Sequence, residues 1–177
     1  MKKTILTLLL FSAFFTIASA QKVTGSFAPL ANEARVKMNI EFAEADIMGM
    51  SEAQFTDYEE DWLEDKDQIL ALFYENTNNA LNGALVVGNY PQGTDYELDL
   101  IVRTVSAHGD YDCDLFLYKI LADGSDELVG KAEGIYAKGG KIGTKLNLMK
   151  DGAKHTGKAI GKFLLEEKKS KKAGRNR

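Results

Sequence analysis

The segment that decides the fold is Thr94–Ala137, with the sequence TDYELDLIVRTVSAHGDYDCDLFLYKILADGSDELVGKAEGIYA. Apolar and polar residues alternate through most of it, which is typical of strands with one buried face. Two glycine-containing breaks interrupt the alternation and favour hairpin turns. The pattern predicts a meander of three antiparallel strands: Tyr96–Val105, Asp112–Leu121 and Glu127–Ala137. The rest of the chain is predicted to cover one face of this meander.

The alternation also assigns side chains to the two faces of the meander. We expect Leu100 opposite Leu117, because this register gathers the aliphatic side chains on one face. It also sets Arg103 across from Asp114 as an opposite-charge pair. The other face is predicted to carry Ile101, Phe116, Tyr118, Val129 and Ile135. Left uncovered, they form an apolar surface for a protein partner or for self-association. The alternative is that residues 21–33 fold over them.

The third strand is unusual because its buried face is predicted to carry only small residues: Gly130, Ala132 and Gly134. Glycine inside a strand costs stability unless another backbone approaches closely. We expect the approaching element to be a last helix at about 145–169. That helix has small residues beside its apolar stripe: Gly152, Gly157 and Gly161. Small residues on both elements allow their backbones to draw together.

The segment before the meander is predicted to contain a strand, a helix and a second short strand. Apolar residues at every second position predict a strand over 36–42. Ser51 followed by Gln54 forms a capping box, and the helix that it starts is predicted to end at Gly83. The apolar run 84–88 predicts a short strand. These elements predict an α+β fold, a two-layer sandwich with one mostly antiparallel sheet of four to five strands and two helices on one face.

The chain begins with the features of a secretory signal peptide over 1–20. Two lysines precede an apolar run, and small residues at 18–20 fit a cleavage site before Gln21. The single cysteine, Cys113, lies far from that site. The mature chain is therefore predicted to be exported to the periplasm or the extracellular medium without a lipid anchor. The further divisions are an extended leader over 21–33, a single α/β domain over 34–167 and a basic disordered tail over 168–177.

Charge is divided unevenly along the chain. Residues 21–137 contain 7 Lys and Arg against 23 Asp and Glu, whereas residues 138–177 contain 13 against 3. We interpret this division as an acidic first helix and a basic last helix that lie side by side. A basic stripe on the outer side of the last helix is predicted at Lys154, Lys158 and Lys162. For partners we also predict contact of the tail with an anionic envelope surface, and no nucleic acid.

No group of residues has the spacing of a catalytic or cofactor-binding motif, so we predict no catalytic residue and no cofactor. His108 and His155 are the only histidines, and their neighbours do not suggest nucleophilic catalysis or zinc binding. Alternate aspartates begin like a calcium-binding loop, but the glycine and the acid that such a loop needs at its sixth and twelfth positions are missing. The candidates for a calcium site are Asp110, Asp112 and Asp114.

The layout of the chain carries one resemblance. The order is strand, helix, strands and helix behind a signal peptide, and Gly139-Gly140-Lys141-Ile142-Gly143 precedes a glycine-rich last helix. In these features the chain resembles small bacterial envelope modules of the curli-secretion lipoprotein type, although it lacks the lipidated cysteine. We therefore expect a non-enzymatic periplasmic or secreted binding or scaffold protein of the bacterial cell envelope.

Two other functions stay open at this point, and each makes a structural demand. A protein that binds a small ligand or a polysaccharide needs a closed, aromatic-lined pocket, for which the candidates are Trp62, Tyr74 and Tyr90. A hydrolase needs a cleft that places one of the two histidines beside a carboxylate.

Overall fold

A computed structural model of the chain describes residues 21–89 and 94–174, with side chains up to Lys169. The predicted signal peptide over 1–20 and Tyr90 lie outside the described residues. The described chain forms an α+β fold in which three α-helices accompany a mixed sheet. The predicted class is confirmed, but the sheet has more strands and is less antiparallel than expected.

The sheet has seven strands: β1 (Lys22–Gly25), β2 (Arg35–Glu41), β3 (Asp46–Ile47), β4 (Val86–Gly88), β5 (Tyr96–Val105), β6 (Tyr111–Ile120) and β7 (Asp126–Ala137). The helices are α1 (Glu52–Tyr58), α2 (Trp62–Leu81) and α3 (Lys145–Gly174), with a 3-10 helix at Ala28–Asn32. The strand order is β1-β7-β6-β5-β2-β4, and β3 pairs with β5. Helices α2 and α3 pack on each other and on one face of the sheet. The opposite face is called the outer face.

The predicted meander is confirmed as β5, β6 and β7, each within one residue of its expected bounds. Its register is not as predicted, because Leu100 lies opposite Leu115 rather than Leu117. The turn between the strands is tight, and the Ser106 N–H donates to the Asp110 carbonyl oxygen at 2.9 Å. Because the resulting shift is two residues, the aliphatic side chains keep their predicted face.

The expectation of a mostly antiparallel sheet of four to five strands is wrong on one side of β5. There β2 runs parallel to both β5 and β4, and β3 also runs parallel to β5. The physical reason is the connection, because helices α1 and α2 cross over between β2 and β4. A crossover of this length returns the chain in the same direction, whereas antiparallel neighbours are joined by short hairpins.

The leader over 21–33 neither stays extended throughout nor covers the outer face. It first adds β1 to the free edge of β7, antiparallel. It then forms the 3-10 helix, whose Leu30 is buried together with the preceding Phe27. The Phe27 ring meets the Phe163 ring of α3 edge to face, with centroids 5.0 Å apart. The leader therefore completes the helix layer and leaves the outer face open.

The close approach to β7 that its glycines imply also comes from the leader, not from the last helix as expected. A Cβ added at Gly130 would lie 2.9 Å from the Ser26 carbonyl oxygen and 3.2 Å from the Phe27 ring. The glycines of α3 serve other contacts. A Cβ at Gly157 would lie 2.6 Å from the Phe73 carbonyl oxygen, so this glycine faces α2.

The single predicted first helix is divided into α1 and α2. Its start is confirmed, since the Ser51 side chain and the Gln54 side chain form the reciprocal capping box. Its end is confirmed too, with Asn82 in the left-handed conformation at φ 49°. The break at 59–61 turns the Trp62 ring into the core, where it packs edge to face on Phe55 at 4.9 Å. Burial of this large ring gives the break its physical reason.

Helix α3 continues to Gly174, into the segment predicted to be a disordered tail. Lys168 is buried there and donates from Nζ to the Glu33 carbonyl oxygen at 2.6 Å. Toward its start, Lys150 reaches across to Asp65 of α2 at 3.1 Å, as the predicted charge complementarity requires. The basic stripe points away from this contact: Lys154, Lys158 and Lys162 are exposed or partly exposed.

The free edge of the sheet at β4 is closed by one side chain of α2. The Asn78 amide donates to the Val87 carbonyl oxygen at 2.9 Å and accepts from the Val87 N–H at 2.8 Å. Asn78 thus satisfies the backbone groups that an additional strand would use. Such a device hinders edge-to-edge pairing at β4.

Candidate binding site on the outer face of the sheet

The outer face contains a concave surface of about 360 Å³, which we call the groove. It lies over the middle of β5 and β6 and is bordered by the end of β2 and the turn that follows. Its lining consists of Glu41, Ala43, Glu44, Asp99, Ile101, Arg103, Phe116 and Tyr118. The groove therefore brings together three of the five residues predicted to form the partner surface.

The floor of the groove is apolar. Ile101, Phe116 and Tyr118 are partly exposed, whereas Leu117, which lies between the two aromatic residues and points to the helix side, is fully buried. The Phe116 and Tyr118 rings stack with centroids 6.2 Å apart. Lys131 Nζ lies 5.0 Å from the Phe116 ring centroid, a distance at which a cation and a ring attract. The strand period of two places these side chains here.

The rim of the groove is acidic. Glu41, Glu44 and Asp99 contribute three carboxylates, and Arg103 is the only cation among the lining residues. Arg103 donates from Nε to Asp114 at 3.0 Å and lies 3.8 Å from Glu44. The predicted Arg103–Asp114 pair is therefore present, and it neutralises the guanidinium. The rim keeps a surplus of negative charge.

Asp99 has the most perturbed environment of the three rim carboxylates. Burial raises its pKa, and the nearby charges of Glu97 and Glu41 raise it further, against a hydrogen bond from Asn39 at 2.8 Å. Lys37 also lowers it, but Lys37 is paired with Glu97 at 2.9 Å. The surroundings of Asp99 therefore disfavour the charged form of its carboxylate.

We expect Asp99→Asn to raise the free energy of unfolding at pH 7. Because the pKa of Asp99 is higher in the folded than in the unfolded state, the charged carboxylate destabilises the fold above the ordinary aspartate pKa of about 4. The gain should shrink toward zero as the pH falls below that value, and denaturant unfolding at both pH values measures it. Asp123→Asn is the control and should lower the free energy of unfolding at pH 7, because hydrogen bonds from Ser125 lower the pKa of Asp123. An Asp99→Asn variant less stable than wild type at pH 7 would contradict this account.

Two predicted members of the partner surface lie elsewhere. Ile135 is only 4% exposed and faces the helix layer, and Val129 is the extra residue of a β-bulge. A second bulge near Gly134, which has φ 71°, reverses the alternation of β7 before Ile135. Each bulge inserts one residue and so moves the following side chains to the other face. The prediction for Ile135 is therefore corrected.

Two of the three aspartates proposed for calcium are already engaged by the protein. Asp110 accepts a hydrogen bond from the Gly139 N–H at 2.8 Å, and Asp114 accepts from Arg103 and from the Gly134 N–H at 3.1 Å. Within residues 21–89 and 94–174, no cluster of His, Cys, Asp and Glu is placed to hold a metal ion. The structure does not bring these aspartates together as a ligand set.

The residues singled out for other functions are likewise dispersed. His108 and His155 are exposed, and Nδ1 of His155 lies 2.7 Å from the Lys138 carbonyl oxygen. Trp62 is buried beside a cavity of about 20 Å³, close to the volume of a single water. The Tyr74 hydroxyl donates to the Met38 carbonyl oxygen at 2.8 Å. These residues share no common site.

The acidic rim was not predicted, although Glu41 and Asp99 occupy outward positions of predicted strands. The missing information was the pairing of β2 with β5, which sets Glu41 directly opposite Ile101. A parallel pair joined through a long segment leaves no hairpin signal in the sequence.

Comparison with known proteins gives no relative: no family model, no curated protein and no solved structure matches this chain. No helix in the described part of the chain has both the length and the apolar composition of a membrane-spanning segment.

Proposed function

We propose that this chain is a non-enzymatic binding or scaffold protein of the bacterial cell envelope, exported without a lipid anchor, and that the groove on the outer face holds its protein partner. Export rests on the sequence of residues 1–20 alone. The partner surface rests on the groove itself.

The observation that carries the proposal is the uncovered apolar floor. Ile101, Phe116 and Tyr118 are partly exposed side by side on the outer face, while α2, α3 and the leader all pack on the opposite face. An apolar patch with a polar rim on a folded domain is typical of an interaction surface. The groove is open rather than enclosed, which favours a protein partner over a small ligand.

An affinity comparison tests the proposal. The immobilised chain is exposed to an envelope extract of the source organism, and retained proteins are compared between wild type and an Ile101→Ser, Phe116→Ser double variant. We expect at least one protein to be retained by wild type and lost by the double variant. Leu63→Ser is the matched control, since Leu63 is an apolar residue of α2 that is 66% exposed and lies on the helix layer.

A second variant separates loss of binding from loss of folding, which the Ile101→Ser, Phe116→Ser variant alone does not distinguish. Glu41→Lys with Glu44→Lys changes only exposed rim residues and should also reduce retention, with an unchanged circular dichroism spectrum. Retention of the same proteins by wild type and by both groove variants would overturn the proposal.

A further inference from the structure

We propose that the groove receives the Ile142 loop, residues 138–144 between β7 and α3, of a second copy of this chain. This inference rests on the proposed function, because it names the partner that occupies the groove.

The Ile142 loop presents an apolar side chain that takes no part in the hydrophobic core. Ile142 is 92% exposed, more than any other large hydrophobic side chain among the described residues. The exposed Lys141 precedes it, and Lys145 follows at the start of α3, where its Nζ donates to the hydroxyl of the exposed Tyr58 at 2.9 Å. Glycines at 139, 140 and 143 surround this projection with backbone that carries no side chain. The loop and the first residue of α3 thus offer one aliphatic side chain between two lysines.

The groove offers the complement of that arrangement. Its floor is the apolar surface of Ile101, Phe116 and Tyr118, and three carboxylates border it. Its one guanidinium is already paired with Asp114. An isoleucine on the floor leaves the flanking lysines near the carboxylates of Glu41 and Glu44. Such pairing of an apolar contact with opposite charges at its edge is typical of protein interfaces.

The two surfaces are different parts of the molecule, so each contact joins the loop of one copy to the groove of another. A contact of this kind is heterologous and extends into open head-to-tail chains unless the rotation closes a ring. The contact area is small, which makes the association weak and concentration-dependent. Because its charges are at the rim, added salt weakens it.

Sedimentation velocity of the purified full chain tests the inference at low ionic strength. We expect the average mass of wild type to rise with protein concentration, and Ile142→Asp to lower the association constant about tenfold or more, because it replaces apolar burial by a charge facing carboxylates. Ile142→Leu is the matched control at the same position and should associate like wild type. Glu41→Lys with Glu44→Lys should lose association from the groove side.

Mixing the two defective variants provides the sharpest readout. The Ile142→Asp variant keeps an intact groove, and the Glu41→Lys, Glu44→Lys variant keeps an intact loop. Mixed in a 1:1 ratio, the two variants should form a heterodimer and nothing longer, at concentrations where each variant alone associates far less than wild type.

The inference is overturned by a wild type that stays monomeric at all concentrations, by Ile142→Asp that associates like wild type, or by mixed variants that do not pair. It is also overturned if Ile142→Asp instead abolishes co-sedimentation with anionic phospholipid vesicles and leaves self-association unchanged, because the loop then serves a lipid surface. In these cases a groove-dependent partner retained from the extract still supports the proposed function, so the two failures are distinguishable.

Discussion

Replacing Gly152 by alanine is expected to destabilise the protein by about 3 kcal/mol or more, even though alanine stabilises an isolated helix by about 1 kcal/mol over glycine. Gly152 lies in the first turns of α3, where its backbone touches the turn between β5 and β6. An added Cβ would overlap the Gly109 carbonyl oxygen and lie 2.8 Å from the Tyr111 ring.

The effect is large because neither neighbour can move cheaply. Gly109 has φ 74°, and a Cβ there would overlap the Leu148 carbonyl oxygen of the same helix. Gly139 is equally constrained, since its Cβ would overlap the His108 carbonyl oxygen. Three backbone segments thus meet without intervening side chains, and a methyl group must push whole segments apart. Close-packed interiors tolerate such insertions poorly.

Denaturant unfolding of Gly152→Ala and of Lys158→Ala measures the prediction. Lys158 is exposed on the same helix, so its substitution should change the free energy of unfolding by no more than about 0.5 kcal/mol. If Gly152→Ala gained about 1 kcal/mol, as helix propensity alone requires, α3 would not dock on the β5–β6 turn in this way.

The second large effect is expected from two Tyr→Phe substitutions that should change the free energy of unfolding in opposite directions. Tyr111→Phe should raise the free energy of unfolding by about 1 kcal/mol or more, because the hydroxyl is buried without a hydrogen-bond partner among the described residues. Its ring keeps its edge-to-face contact with Phe73 at 5.3 Å. Tyr74→Phe should lower the same quantity by about 1 kcal/mol, because it removes the hydrogen bond to the Met38 carbonyl oxygen.

The pH dependence of these variants gives an independent readout. Burial raises the pKa of Tyr111 far above its ordinary value, so the hydroxyl stays neutral in the folded protein. Wild type should therefore lose stability as the pH rises above about 10, the ordinary tyrosine pKa, while Tyr111→Phe should lose less. A destabilised Tyr111→Phe variant would show instead that the hydroxyl has a partner.

Local patterns in the sequence account for the parts of the fold that were predicted. Alternation of apolar and polar residues, interrupted only at bulges, places β5, β6 and β7 and sorts Leu98 and Leu100 from Ile101. The capping box at Ser51 and the left-handed residue Asn82 mark the outer ends of the helical region. Each of these signals is contained in a few neighbouring residues.

The parts that were missed depend on long-range contacts. The parallel pairing of β2 with β5 has no local signal, and neither does the packing of the leader on α3. The bulge near Gly134 does have a local signal, because a glycine inside a strand often marks a bulge. The sequence does not show, however, to which face of the sheet the following residue points. Ile135 was misplaced for that reason.

The candidate site also divides into residues predicted from local patterns and residues that depend on long-range contacts. Ile101, Phe116 and Tyr118 come from alternation within the meander, so they were predicted. Glu41 and Glu44 join them only because β2 lies beside β5 and the chain then bends toward β3. The charge of the groove, and with it the chemistry of the occupant, was therefore beyond local patterns.

The openness of the outer face is the claim on which the proposed function depends, and thiol labelling tests it directly. In dilute native protein, an Ile101→Cys variant should react with a thiol reagent, whereas Val102→Cys should react only after unfolding, because Val102 is fully buried. Cys113 is buried and its pKa is raised by that burial, so it should stay unreactive and serve as an internal control. Native labelling at position 101 alone is the predicted result. Equal protection of both positions would mean that something covers the face, and the account would be contradicted.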